Sequence, residues 1–201
     1  MNSQKTQLIM PTPKQILAYI FLFATLLLSC SDDDPEPVNE EELITTVVLV
    51  FQPLNATGNP EGNASVFSWI DRDEDGPIVP VISDITLSSN TTYKLTVQLL
   101  NESVNPAVNI SEEVLEEGTE HQFFFGRSNG LNLNVTYADN DKDGLPVGLT
   151  NNATTGNAST GEFTVTLRHE PQKNASGVKS GDITNAGGET DVQVSFPVTI
   201  N

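Results

Sequence analysis

Val192-Gln193-Val194-Ser195-Phe196-Pro197-Val198-Thr199-Ile200 sets a large apolar residue at every second position, with Gln, Ser, Pro and Thr between. Successive side chains on an extended strand point to opposite faces, so this period of two describes a strand with one buried face and one wet face. Two other stretches repeat the pattern. Tyr93, Leu95, Val97 and Leu99 alternate with Lys94, Thr96 and Gln98, and Phe163, Val165 and Leu167 alternate with Thr164, Thr166 and Arg168. Pro197 has no N–H to give a neighbour, which predicts an edge or a bulge at that point. Further strands are predicted at 45–51, 66–70, 84–87, 122–125 and 131–137, with Asn-, Gly-, Ser- and Thr-rich turns such as 55–65 and 150–161 between them. Only 110–118 departs from this rule. Its Ser111, its early Glu112 and Glu113 and its closing Gly118 predict a helix of one to two turns. Many short strands and one short helix predict an all-β fold, an antiparallel β-sandwich of immunoglobulin-like, Greek-key type.

The helix divides two similar halves. Trp69-Ile70-Asp71-Arg72-Asp73-Glu74-Asp75-Gly76 precedes the strand at 93–100, and Tyr137-Ala138-Asp139-Asn140-Asp141-Lys142-Asp143-Gly144 precedes the strand at 162–169. An aromatic followed by DxDxDG, twice at nearly constant spacing, predicts an internal duplication. The acidic loops also carry the clearest chemistry. Alternate carboxylates in a tight loop converge on one point, and Ca²⁺ takes six to eight hard oxygens at about 2.3–2.6 Å. Asp71, Asp73 and Asp75 are one candidate calcium site, with the Pro77 carbonyl and Asp84 as further ligands. Asp139, Asp141 and Asp143 are a second, with the Leu145 carbonyl and a distant acid such as Asp182, Glu189 or Asp191. The loops resemble the calcium loop of EF-hands and of helix-free calcium repeats in secreted proteins. Strands flank them in place of helices, and Ile82 and Thr150 stand where an EF-hand has its twelfth-position Glu.

The N-terminal region reads as an address. Lys5 and Lys14 are its only charges before Asp32, and residues 16–28 are an apolar run too short for a comfortable membrane span. The run ends in Leu27-Leu28-Ser29-Cys30, which resembles the lipobox of bacterial lipoproteins. That resemblance implies cleavage before Cys30, a diacylglycerol on its thiol and an acyl chain on its amine. The following Ser31-Asp32-Asp33-Asp34-Pro35-Glu36-Pro37 is similar to the acidic export tract of surface-exposed Gram-negative lipoproteins of Bacteroidota type. The expected organisation is a signal peptide at 1–29, a lipidated Cys and acidic tether at 30–42, and one β-sandwich domain at 43–201. The expected location is the outer membrane, facing the exterior. Segments 39–47, 113–117 and 181–191 resemble a family of uncharacterised surface lipoproteins. Its members are sometimes labelled with a type 1 periplasmic-binding fold, which needs repeated βαβ units and long amphipathic helices. The alternating strands here predict a sandwich instead.

Composition narrows the function. The formal charge is −18, and a leader with two lysines and no acid takes it to about −20 on removal. Such a surface repels phosphate backbones, so no nucleic-acid partner is expected. The single Cys excludes a disulfide scaffold and a multi-cysteine zinc site. No phosphate loop, HExxH or GxSxG occurs. Glu116, Glu117, Glu120 and His121 read as a solvated helix face that could also ligate a metal, and His169 reads as a packed or strand-end residue. The expectation is a non-enzymatic, calcium-stabilised binding or adhesion module, anchored to the membrane by lipid, with a glycan or a surface protein as partner. The alternatives are a hydrolase of glycans using paired carboxylates and an accessory subunit of a surface uptake complex.

Overall fold

The alternation becomes pairing in a computed structural model that describes residues 42–73 and 76–201. Strands β1 (Thr46–Leu54), β2 (Ser65–Ile70), β3 (Val81–Ile82), β5 (Thr92–Asn101), β6 (Val108–Asn109), β8 (Leu133–Tyr137) and β9 (Thr150–Thr155) form one sheet, with β4 (Ile85–Leu87), β7 (His121–Arg127), β10 (Ser159–His169) and β11 (Glu189–Ile200) in the other. The first runs β3-β2-β1-β5-β9-β8, with β6 on β5, and the second β4-β11-β10-β7. All pairs are antiparallel except β4 with β11. The inward residues of both sheets make one core, in which Leu49, Phe51, Leu95 and Leu99 meet Phe123, Phe163, Leu167 and Phe196. Two open, largely antiparallel sheets on a shared apolar core are consistent with a β-sandwich.

Helix α1 (Ile110–Glu116) buries Ile110 and Val114, one turn apart on one face, against that core. Ser111 does not cap it. Its hydroxyl accepts from the Leu99 N–H at 2.7 Å, so the side chain serves the neighbouring strand, and Asn109 takes the N-cap position.

Strand β9 falls where the sequence predicts turn. Its inward positions are Asn151, Ala153 and Thr155, too polar or too small to register as an apolar period. Hydrogen bonds make their burial tolerable: Asn151 Nδ2 donates to the Gly148 carbonyl at 2.7 Å, and Thr155 Oγ1 to the Ser88 carbonyl at 2.6 Å. Pro197 sits inside β11, but β4 flanks that strand only at Val198–Ile200. The proline therefore stands just before the second neighbour begins.

The two halves are not laid out alike. β2 and β5, on either side of the first acidic loop, share a sheet, whereas β8 and β10, on either side of the second, lie in different sheets. The repeated motif thus marks two similar loops on dissimilar frames.

Candidate metal centres

The second acidic loop is held by its own chain. Both oxygens of Asp139 are occupied by backbone, Oδ1 by the Gly148 N–H and Oδ2 by the Thr150 N–H, each at 2.7 Å. Asp141 Oδ1 accepts from the Asp143 and Leu145 N–H groups at 2.9 Å, and its Oδ2 accepts from Lys173 Nζ at 2.8 Å. That ammonium also donates to the Pro146 carbonyl at 3.0 Å and to the Gly118 carbonyl, so its three protons have three acceptors. Burial raises the proton affinity of Asp141, but Lys173 and the two backbone N–H groups outweigh it and hold the carboxyl below its usual value. Asp143 is exposed. A buried lysine thus stands beside the carboxylate where calcium is expected. It lies 32 residues beyond Asp141, out of reach of any local motif.

The first loop differs. Asp73 Oδ2 accepts from the Ile78 N–H at 3.1 Å, but Asp71 Oδ1 and Asp73 Oδ1 are buried with no hydrogen-bond partner among the described residues. Asp75 lies outside the described residues, as do Cys30, the leader and the tether to residue 41. Asp84, expected to complete this site, follows β3 and is exposed. The loop carries β2 into the edge strand β3.

A third constellation gathers residues scattered through the sequence. His121 opens β7 and His169 closes β10, and the two are directly opposed in the register. Their rings stack with centroids 4.7 Å apart. The β10–β11 register shifts at Leu167/Arg168, so that Leu167 faces Val192 while Arg168 faces Thr190. Asp191 is the extra residue of this bulge, and bulges re-aim side chains. Its carboxylate turns in towards the histidines, with Oδ2 3.9 Å from His121 Nε2 and Oδ1 3.8 Å from His169 Nδ1. Glu42, just before β1, completes the group with Oε1 2.9 Å from His121 Nε2.

The side chains of His121, Glu42, His169 and Asp191 are 0%, 3%, 5% and 4% exposed. Burial, reinforced by the charge of Glu42 and opposed by both histidines and Arg168, pushes the Asp191 carboxyl up to about 6. The surrounding backbone is constrained. Glu170 takes a left-handed φ of 48°, and Gly188 approaches so closely that a Cβ there would lie 2.1 Å from the His169 carbonyl oxygen.

Among the described residues, two groups of His, Asp and Glu bring ligand atoms within 4.8 Å of one another. One is Glu42, His121, His169 and Asp191; the other, more exposed, is Glu120, His169 and Glu170. Neither includes an acid of the DxDxDG loops.

No family model, curated protein or solved structure matches this chain. What its sites can do follows from their own chemistry. The sequence contains signals for only part of the third site. His121 is legible as a possible ligand beside acids, and Asp191 as a distant acid for the second loop. Glu42 reads as tether and His169 as packing, because a cross-strand pair and a bulge leave no local spacing rule.

Proposed function

We propose that this protein is a non-catalytic binding module, displayed on a Gram-negative outer membrane by a lipid on Cys30 and stiffened by calcium at its first acidic loop. The observation that carries this reading is the edge into which that loop runs. Ile78, Val79 and Val81 are 67%, 81% and 67% exposed, with Ile82 beside them on edge strand β3. Aliphatic side chains on a sheet edge favour a protein surface as partner over a sugar. Trp69 and Tyr137, the aromatics a sugar would stack on, are drawn into packing: Trp69 lies against the core, and Tyr137 OH donates to the Phe123 carbonyl at 2.6 Å.

Calcium at Asp71 and Asp73 would satisfy their two unpartnered oxygens and order the approach to that edge. We assign no calcium to the second loop, where Lys173 already neutralises Asp141. The finer architecture we read is a Greek key, in which β4 leaves to flank β11 and β5 returns beside β1.

A carboxylate hydrolase needs two acids facing a cleft, about 5–10 Å apart. Glu42 and Asp191 are shut inside the fold. The cavity of about 190 Å³ beside Tyr137 has no carboxylate in its lining, and in the cleft of about 330 Å³ that Asp141 and Asp143 line, Asp141 is already paired with Lys173.

The test uses cells expressing the full chain. Wild type should take up a fatty-acid label and crosslink to a neighbouring surface protein. Cys30→Ala should lose the label, and Val79→Asp with Val81→Asp should keep the label and melting temperature but lose the crosslink. A crosslink indifferent to the edge substitutions would overturn the binding role, and a labelled Cys30→Ala would overturn the anchor.

A further inference from the structure

His121 Nδ1 lies 3.3 Å from the Glu117 carbonyl oxygen. A carbonyl only accepts, so Nδ1 carries the proton there, and a neutral ring then has its lone pair on Nε2. That lone pair faces Glu42 Oε1 at 2.9 Å and Asp191 Oδ2 at 3.9 Å. His121 Nε2, Glu42 Oε2 and Asp191 Oδ2 are buried without hydrogen-bond partners among the described residues. Electron-rich atoms crowded around one point, on side chains almost entirely withdrawn from water, call for a cation between them.

We propose that Glu42, His121, His169 and Asp191 form a closed, structural Zn²⁺ site that fastens the segment leading into β1 to the end of the four-stranded sheet. The donor set selects the metal. Two imidazole nitrogens disfavour Ca²⁺ and Mg²⁺, which take oxygen, and suit a borderline ion. A tetrahedron with arms of about 2.1 Å has edges of about 3.4 Å. From His121 Nε2 the separations to Glu42 Oε1 and Asp191 Oδ2, 2.9 and 3.9 Å, bracket that value, and one ligand atom from each of the four residues lies within 4.8 Å of every other. Charge closes as well: two carboxylates balance one divalent ion, leaving a neutral site in the interior. Four protein ligands leave no open position for substrate, so the ion holds structure and does no chemistry. The Glu117 carbonyl is the outer partner that fixes the His121 tautomer and aims its ring.

The site does what a disulfide cannot do in a chain with a single Cys. It joins a residue ahead of β1 to residues on β7, β10 and β11, closing long loops of chain. It is independent of calcium at the first loop, and the two respond to different ions.

The test takes the full-length lipidated protein in detergent, purified without a histidine tag. Elemental analysis should find about one zinc per chain, and Co²⁺ exchanged into the site should show the intense visible absorption of a tetrahedral centre. Dipicolinate should lower the melting temperature by roughly 8–16 °C, the shift expected for an ion at about a thousand times its dissociation constant on a domain of this size. Zn²⁺ should restore it and Ca²⁺ should not. Glu42→Gln, which keeps the side chain's shape, should remain folded by circular dichroism yet weaken zinc by at least about 100-fold, with His169→Asn behaving alike. A folded wild type that binds no zinc and melts unchanged in dipicolinate would reduce the cluster to a buried ion pair. Zinc retained undiminished by both variants would place the ion elsewhere. Either result overturns the proposal.

Discussion

Lys173 is the residue whose removal should be felt most widely outside the histidine cluster. It ties the turn after α1, the second acidic loop and the chain after β10 through Gly118, Asp141 and Pro146. Lys173→Met keeps much of the side chain's bulk but strands the Asp141 carboxylate, whose side chain is 1% exposed. Breaking a buried pair in this way costs about 3–5 kcal/mol, whereas removing both charges is often nearly neutral. The single variant should therefore melt roughly 10 °C lower, and adding Asp141→Asn should recover most of the loss. The pH dependence has a definite sign. The folded-state proton affinity of Asp141 is depressed, so its stabilisation is present above the usual carboxylate value of 3.8 and lost as pH falls through the depressed one. Wild type and Asp141→Asn should converge in melting temperature in acid and separate towards neutrality. Asp139 and Asp141 were legible as chemistry-bearing residues because their spacing is local. What they bind to was not, since Lys173 becomes their neighbour only through the packing of separate loops.

At the scale of elements, backbone packs closely against backbone where β10 ends and β11 begins. Gly188 has a φ of +67°, and a Cβ there would collide with backbone of His169 and Glu170. Gly58 has a similar φ of +80° but open space around its missing Cβ. Both alanine variants incur the left-handed backbone penalty of about 1–2 kcal/mol, and only Gly188→Ala adds a backbone clash. Thermal unfolding should show Gly58→Ala lower by a few degrees and Gly188→Ala lower by at least twice as much; equal shifts would mean the hairpin end gives way freely. The strands with apolar inward faces were readable from alternation alone, as β5, β10 and β11 illustrate. β9 was not, because hydrogen bonds satisfy its buried Asn151 and Thr155 where a hydrophobic signal would otherwise stand. The bulge at Asp191 was equally silent, since a single extra residue leaves the composition of a strand unchanged.

For the molecule as a whole, calcium and zinc should act as separable stabilisers. Calcium at about a hundred times its dissociation constant adds about 2.7 kcal/mol through binding only to the folded state. A chelator selective for calcium should then lower the melting temperature by about 5–11 °C. Asp71→Asn should abolish that response while leaving the response to dipicolinate intact, and a calcium response surviving in Asp71→Asn would remove the first loop from the reading. The all-β class was legible because burial on one face writes itself into the long strands such as β5 and β11, but the division of strands between sheets was not. That division has a kinetic consequence. β11 runs through the interior of the second sheet, between β10 and a β4 that lies roughly a hundred residues earlier in the chain. Until 189–200 has been made, β4 has no partner in that sheet and the floor of the core is missing. The β4–β11 pairing thus closes one of the longest loops in the fold, and its formation waits on the whole of the chain between them.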